Sequence, residues 1–210
     1  MNTLAKADPS PRIRDAVPAD ARRIAEIYAH YVGTSVATFE ETPPDAVEVA
    51  ARLHRLSSLG LPWRVIEDAA GVQGYAYAAP FRDLSAYRFT LEDSIYIDAD
   101  RQRYGYGMRL LPDLIASYEA LGKRQMIAVI GGFQSAGSIG LHNRMGFETA
   151  GVLPSAGFKL GDWTDSVLTQ AVQLRQRPPP ELLHCVISGG ATIYRAANNF
   201  RIPASTTFSI

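Results

Sequence analysis

Residues 94–111, SIYIDADRQRYGYGMRLL, pass from an apolar alternation through a charged break into a helical repeat, with Gly105 and Gly107 at the entry to the helix. A strand that turns into a helix exposes the first N–H groups of that helix, which have no partner inside it and have the positive end of the dipole behind them. Such an end binds phosphate, and glycine lets the main chain approach the ligand. Two common phosphate motifs fail on the residues. No Gly-Lys-Ser/Thr opens the helix, as a P-loop requires, and Leu110 stands where a dinucleotide fingerprint needs a small residue. What remains is Gln102-x-x-Gly105-x-Gly107. Just upstream, in the strand-like run RFTLEDSI, Glu92 is a carboxylate whose basicity would rise on partial burial. Its alternative is an exposed strand carboxylate, and alternation places Asp93 on the opposite face.

The elements that must position these residues follow from periodicity. PRIRDAV alternates as a short first strand. PADARRIAEIYAHYVG places Ala21, Ile24, Ala25, Ile27, Tyr28 and Tyr31 along one helical face, with Gly33 as a stop, and a second helix runs from about Asp45 to Leu59. PWRVIEDA and VQGYAYAAPF form a hairpin across Ala70 and Gly71, and YRFTLEDSIYI supplies the next strand. A helix from Gly105 to Leu121 contains Pro112, where a kink is expected. RQMIAVIGG reads as a strand buried on both faces, SAGSIGLHNRMG as a short helix, and FETAGVLPSAGFKLG with DWTDSVLTQAVQL as a final strand pair. The order predicts an α/β (α+β) fold: a mixed central β-sheet flanked by helices on both faces. The expected organisation is a flexible leader at 1–10, one domain at 11–174, and a Pro-rich linker with a C-terminal extension at 175–210. An unstructured tail is the favoured reading there, with a packing strand or partner contact as the alternative.

Composition narrows the function classes. In 210 residues, 21 Lys+Arg balance 21 Asp+Glu, so no global field recruits nucleic acid or an anionic membrane. The single cysteine, Cys185, forms no internal disulfide, and no Cys/His spacing suits zinc, so no metal is expected. No signal peptide opens the chain, and no apolar run reaches the about 18 residues of a membrane helix. A soluble, cytoplasmic protein is the expectation.

Several separated pieces share one likeness. The loop Gln102-x-x-Gly105-x-Gly107 resembles the Q/R-x-x-G-x-G/A loop of the GNAT acetyltransferases. TFEETPP (38–44), GYAYAAPF (74–81), AYRFTLEDSIYI (86–97), GKRQMIAVIG (122–131), SIGLHNRMGF (138–147) and GFKLGDWTD (157–165) resemble the phosphinothricin N-acetyltransferase type within that superfamily. The likeness spans Arg12 to Leu174 and implies a GNAT fold, acetyl-coenzyme A as cosubstrate, and a small primary amine or amino acid as acceptor. Phosphinothricin, methionine sulfone and methionine sulfoximine all remain open as acceptors. A coenzyme-binding or sensing module with little catalysis is the alternative.

The resemblance also assigns residues. Gln102, Arg103, Tyr104, Gly105, Tyr106, Gly107 and Met108 would grip the coenzyme pyrophosphate. Main-chain groups of Ile95, Tyr96 and Ile97 would face the cofactor, because this strand opens away from its neighbour in the family. Glu92, in Thr90-Leu91-Glu92, takes the place of the family's general base. His142 stands where most relatives carry a Tyr near the coenzyme sulfur, and either donates a proton to the thiolate or orders the site. Phe39, Glu40, Tyr87 and Trp163 would wall the acceptor pocket. Two departures stand out. Ser135 replaces a coenzyme-binding Asn, and Leu84 replaces an Arg that lies near the substrate anion, leaving Arg82, Arg88 or Lys159 to compensate. The likeness of GFKLGDWTD implies a homodimer.

Overall fold

The structure, a computed structural model, describes residues 10–132 and 135–171. The expected leader, apart from its last residue, and the extension at 175–210 lie outside these residues. The elements run β1 (Arg12–Asp15), α1 (Ala21–Thr34), α2 (Ala46–Ser58), β2 (Trp63–Asp68), β3 (Gly71–Pro80), β4 (Thr90–Ile97), α3 (Tyr106–Ala120), β5 (Gln125–Gly131), α4 (Ala136–Arg144), β6 (Phe147–Lys159) and β7 (Asp162–Ala171). This is the predicted order. α1 passes through Gly33 and ends at Thr34, and α3 continues through Pro112.

One seven-stranded sheet has the order β1-β2-β3-β4-β5-β7-β6. Every pairing among the described residues is antiparallel except β4 with β5, which are joined through α3 as a parallel pair requires. α1 and α2 cover one face over β2–β4, and α3 and α4 lie on the other. α1 buries Ala21, Ile24, Ala25, Ile27, Tyr28 and Val32, at the spacing of one helical stripe. α2 opens on Asp45, whose carboxylate accepts from Glu48 N at 2.8 Å. Leu110, Leu111 and Leu114 of α3 are fully buried with Ala76 and Ala78 of β3 and Leu91 of β4 in the same core. β5, expected to be buried on both faces, instead alternates: Met126, Ala128 and Ile130 are buried, while Ile127 and Val129 are half-buried. The reason is that α1 and α2 stop short of it, and Val129 fronts an open cleft.

No helix among the described residues is long and apolar enough to cross a membrane.

Tyr118 of α3 repairs the sheet where the β2–β3 ladder ends. Its hydroxyl accepts from Ala78 N at 3.0 Å and lies 2.8 Å from the Pro62 carbonyl and 2.7 Å from that of Ala78. Tyr118→Phe leaves the buried Ala78 N–H unpaired, a loss of about 1–3 kcal/mol. Urea denaturation should show a lower midpoint at an unchanged slope.

Candidate active site

The parallel ladder between β4 and β5 starts at Thr90↔Gln125 and ends at Asp93↔Ala128. Beyond that rung the strands part. Asp98 N donates to Gln73 O on β3, and Thr90 O accepts from Phe81 N on the same side. Backbone groups alternate sides along a strand, so Ile95 and Ile97 turn their N–H and C=O groups into the gap. The hydroxyl of Tyr31 on α1 donates to the Ile97 carbonyl.

The gap opens into a cleft of about 960 Å³. Below it, the chain turns through Ala99–Arg101 into α3. Gly105 sits in the left-handed region at φ 80°, the conformation that requires glycine, and caps α3 without a side-chain bond. The amides of Arg103, Gly105, Gly107 and Met108 meet no acceptor among the described residues. Gly107 has a second task that its motif does not announce. A Cβ there would stand 3.1 Å from Leu141 Cδ2, so this glycine also lets α4 pack onto α3. Gln102 donates from Nε2 to the Tyr31 oxygen at 3.0 Å, which ties the loop to α1.

Glu92, Ser94 and Tyr96 project to the face of α1, where Tyr96 meets Tyr28 edge-on at 4.9 Å. Glu92 is half-buried and lines the cleft, and its carboxylate makes no hydrogen bond among the described residues. Burial raises its pKa above the ordinary carboxylate value, Asp93 adds to the rise, and Arg82 opposes it. Asp93 projects to the other face, where Oδ2 lies 3.0 Å from His142 Nε2 on α4.

The cleft is also walled by the segment between α1 and α2. Thr38 Oγ1 lies 2.6 Å from Tyr28 Oη, and Lys159 Nζ donates to the Thr38 carbonyl at 2.7 Å. Glu40 is held by both ends of the Arg52 fork, at 2.7 and 3.1 Å. A Cβ at Gly131 would collide with the Val36 carbonyl, so β5 ends where this segment crosses it.

Of the expected residues, Glu92, His142, Ile95, Tyr96, Ile97, Gln102, Arg103, Gly105, Tyr106, Gly107, Met108, Ser135, Phe39 and Glu40 line this one cleft. Ser135 spends its hydroxyl on the Gly131 carbonyl at 2.7 Å. Six others lie outside the lining. Tyr104 is exposed beside Arg101, Arg82 stacks on Phe81 at 4.7 Å, and Arg88 stacks on Phe89 at 4.5 Å. Tyr87 meets Phe81 edge-on, Trp163 projects from the β6–β7 hairpin against Phe158, and Lys159 is buried behind Thr38. Sequence reasoning passed over Tyr28, Tyr31, Tyr77, Asp93, Arg101 and Arg144, which also line the cleft. Tyr28 and Tyr31 had a signal: they stand three apart on the inward stripe of α1, with hydroxyls that need partners.

An open strand gap, unpaired amides at a helix start and an unpartnered carboxylate beside them define a site for a phosphate-bearing ligand and a proton-accepting step. The comparisons agree with that class. The acetyltransferase (GNAT) domain family matches residues 13–168. A phosphinothricin N-acetyltransferase of Alcaligenes faecalis is 50% identical over 151 residues, covering 72% of this chain and 77% of that protein. An L-methionine sulfoximine/L-methionine sulfone acetyltransferase of Pseudomonas paraeruginosa is 40% identical over 162 residues, covering 77% and 94%. A crystal structure of a Sinorhizobium meliloti phosphinothricin acetyltransferase in complex with acetyl-coenzyme A superposes with a TM-score of 0.76 at 43% identity, covering 83% and 96%. The chain belongs to the GNAT acetyltransferase family, and it is an N-acetyltransferase.

Gly105→Ala isolates the loop conformation, because nothing lies within 4 Å of the added methyl. The strained backbone costs about 1–2 kcal/mol, which predicts an about 5–30-fold weaker dissociation constant for coenzyme A if the loop rearranges to relieve it. Calorimetric titration with coenzyme A reads this directly.

Proposed function

We propose that the protein moves the acetyl group of acetyl-coenzyme A to the primary amine of a small amino acid or analogue, of the phosphinothricin or methionine sulfone/sulfoximine kind. Transfer is direct, with Glu92 as general base. The observation that carries this reading is the position of Glu92, half-buried and unpartnered at the mouth of the strand gap. The relatives' activities support the acceptor class, and the bound coenzyme of the Sinorhizobium meliloti protein supports the donor.

The residues present fit the coenzyme. The unpaired amides of Arg103, Gly105, Gly107 and Met108 suit a diphosphate, and Arg101 and Arg103 add positive charge at the same end of the cleft. The coenzyme supplies an acetyl thioester. Ile95 presents a main-chain N–H to the gap, where it stabilises negative charge developing on the carbonyl oxygen. An amine in water is protonated near neutral pH, so attack requires a base. Glu92 takes that proton, directly or through one water, and its raised pKa makes it a stronger acceptor than an exposed glutamate. Among the described residues no cysteine lines the cleft, which suits attack by the amine itself rather than a thiol relay.

We also propose a homodimer. Leu153, Phe158, Leu160 and Trp163 of the β6–β7 hairpin are all more than half exposed, an apolar concentration that a second copy would cover. Trp163→Glu should therefore shift the mass found by analytical ultracentrifugation from dimer to monomer. A wild-type monomer would end this part of the reading.

Glu92→Gln should lower kcat/KM about 10²–10⁴-fold while coenzyme binding, followed by calorimetry, is retained. In the wild type the rate should rise with pH as Glu92 loses its proton. Because burial raises that pKa, the acid limb should lie above the range of an ordinary carboxylate. Thiol release by Glu92→Gln at the wild-type rate, across an amine panel, would remove Glu92 from the chemistry.

A further inference from the structure

The steps above leave a buried ion pair unused. Asp93 is 6% exposed and His142 1%. His142 Nδ1 lies 2.8 Å from the Ser138 carbonyl oxygen, with Ser138 Oγ at 3.4 Å, and Nε2 lies 3.0 Å from Asp93 Oδ2. A carbonyl oxygen only accepts, so Nδ1 carries a hydrogen. A carboxylate also accepts, so a proton lies between Nε2 and Oδ2 whichever of the two atoms holds it. Both ring nitrogens are therefore committed inside the protein. Neither offers a free N–H or lone pair to the cleft.

Three elements pack against the ring. Asp93 faces it from β4, Ser138 from its own helix, and Phe147 of β6 meets it edge-on at 5.0 Å. Glu92, the next residue along β4, projects to the opposite face of the sheet. Burial opposes a charge on His142, but Asp93 and the Ser138 carbonyl outweigh it and raise its pKa above the usual histidine value. Asp93 Oδ1 is buried with no hydrogen-bond partner among the described residues, and the ion pair its carboxylate makes among them is with His142.

The location of the pair gives it a task. Asp93↔Ala128 is the last rung before β4 and β5 part. His142 belongs to α4, which brings Gly137, Ser138 and Leu141 to the cleft. We propose that Asp93 and His142 are positioning residues, a salt bridge that pins α4 to the apex of the strand gap. In this role His142 keeps its proton throughout the cycle and does not pass it to the departing thiolate. The kinetic part of this inference rests on the acetyl-transfer reading, whereas the protonation state does not.

Imidazole ¹⁵N NMR on histidine-labelled protein tests it, with the His142 signals assigned by their loss in His142→Gln. At pH 6.5, where a free imidazole is about half protonated, His142 should show two protonated nitrogens. A His142 ring that is mostly neutral at that pH in the wild type would overturn the inference without any reference to activity. Coenzyme A calorimetry forms the second arm. Asp93→Ala should weaken binding at least tenfold, and Asp93→Asn, which keeps a hydrogen bond to Nε2, should restore most of it. Asp93→Ala binding as tightly as the wild type would overturn the positioning role even if no acceptor amine is ever found. Where turnover is measurable, His142→Gln should raise the coenzyme KM and lower kcat at saturation less than tenfold. A proton donor would instead lose about 10²–10⁴ in kcat at an unchanged KM, and that split would restore His142 to the chemistry.

Discussion

A parallel ladder ordinarily continues as long as both strands last, because each buried N–H or C=O that loses its partner costs about 1–3 kcal/mol. β4 and β5 part at Asp93↔Ala128 with Ser94–Ile97 and Val129–Gly131 still extended. The protein repairs only some of that loss. Ile97 O accepts from Tyr31, while the hydroxyl oxygen of Tyr31 accepts from Gln102. Ile95 turns its main-chain groups toward a gap that a ligand must fill. The strands cannot close on each other, because the Val36 main chain lies against Gly131 on one side and α4 is tied to Asp93 on the other. Binding capacity here is a consequence of an incomplete sheet, held incomplete by packing.

Charge is distributed by the same logic. Glu40 is neutralised by Arg52, Asp93 by His142, and Lys159 donates to Thr38. Glu92 has no such partner among the described residues, although Arg82 acts on it electrostatically. A half-buried carboxylate without a bonded cation is held at a raised pKa rather than quenched by an ion pair, which is the condition a base needs. The neighbouring carboxylate contributes from the opposite face, where the charge of Asp93 raises Glu92 further. Two consecutive acidic residues thus divide two roles, because strand alternation sends them to different sides of one sheet.

The element order was legible in the sequence because helical stripes and strand alternation are local. The stripe of α1 was named residue by residue, with Val32 added by the structure. The loop before α3 was legible because a left-handed turn at a helix start leaves a glycine as its trace, and Gly105 is that residue. Gly107 was assigned to ligand approach, and its contact with Leu141 was invisible because it joins two helices distant in sequence. β5 looked buried on both faces from its apolar run. Nothing in seven residues announces that the helices of one face stop short of it. His142 was found by its place in a pattern, but its partner was not, since Asp93 lies 49 positions away and only the fold brings the two to 3.0 Å.

The wall between α1 and α2 shows what a local reading of charge leaves out. The substitution of Leu84 for an arginine suggested that Arg82, Arg88 or Lys159 stands in for it. Yet Arg82 and Arg88 lie over the rings of their own neighbours, Phe81 and Phe89. Lys159 is 2% exposed, burial lowers its pKa, and its ammonium anchors the Thr38 carbonyl. A buried cation already bonded to the wall it supports shapes that wall more than it clamps a solute. The lining arginines among the described residues, Arg101, Arg103 and Arg144, come from the loop before α3 and the end of α4 rather than from the wall that Lys159 supports. At that wall stand Phe39, Thr38, Glu40 and the hydroxyls of Tyr28 and Tyr77. Burial pushes Tyr28 up to about 12, which keeps it a neutral hydroxyl. This wall therefore combines neutral hydrogen-bonding groups with one carboxylate already paired to Arg52. The segment that supplies most of them is fixed by Lys159, Arg52 and the bare backbone of Gly131. Glu92 and the strand gap are held by other contacts, the ladder of β4 with β3 and the bond between Asp93 and His142.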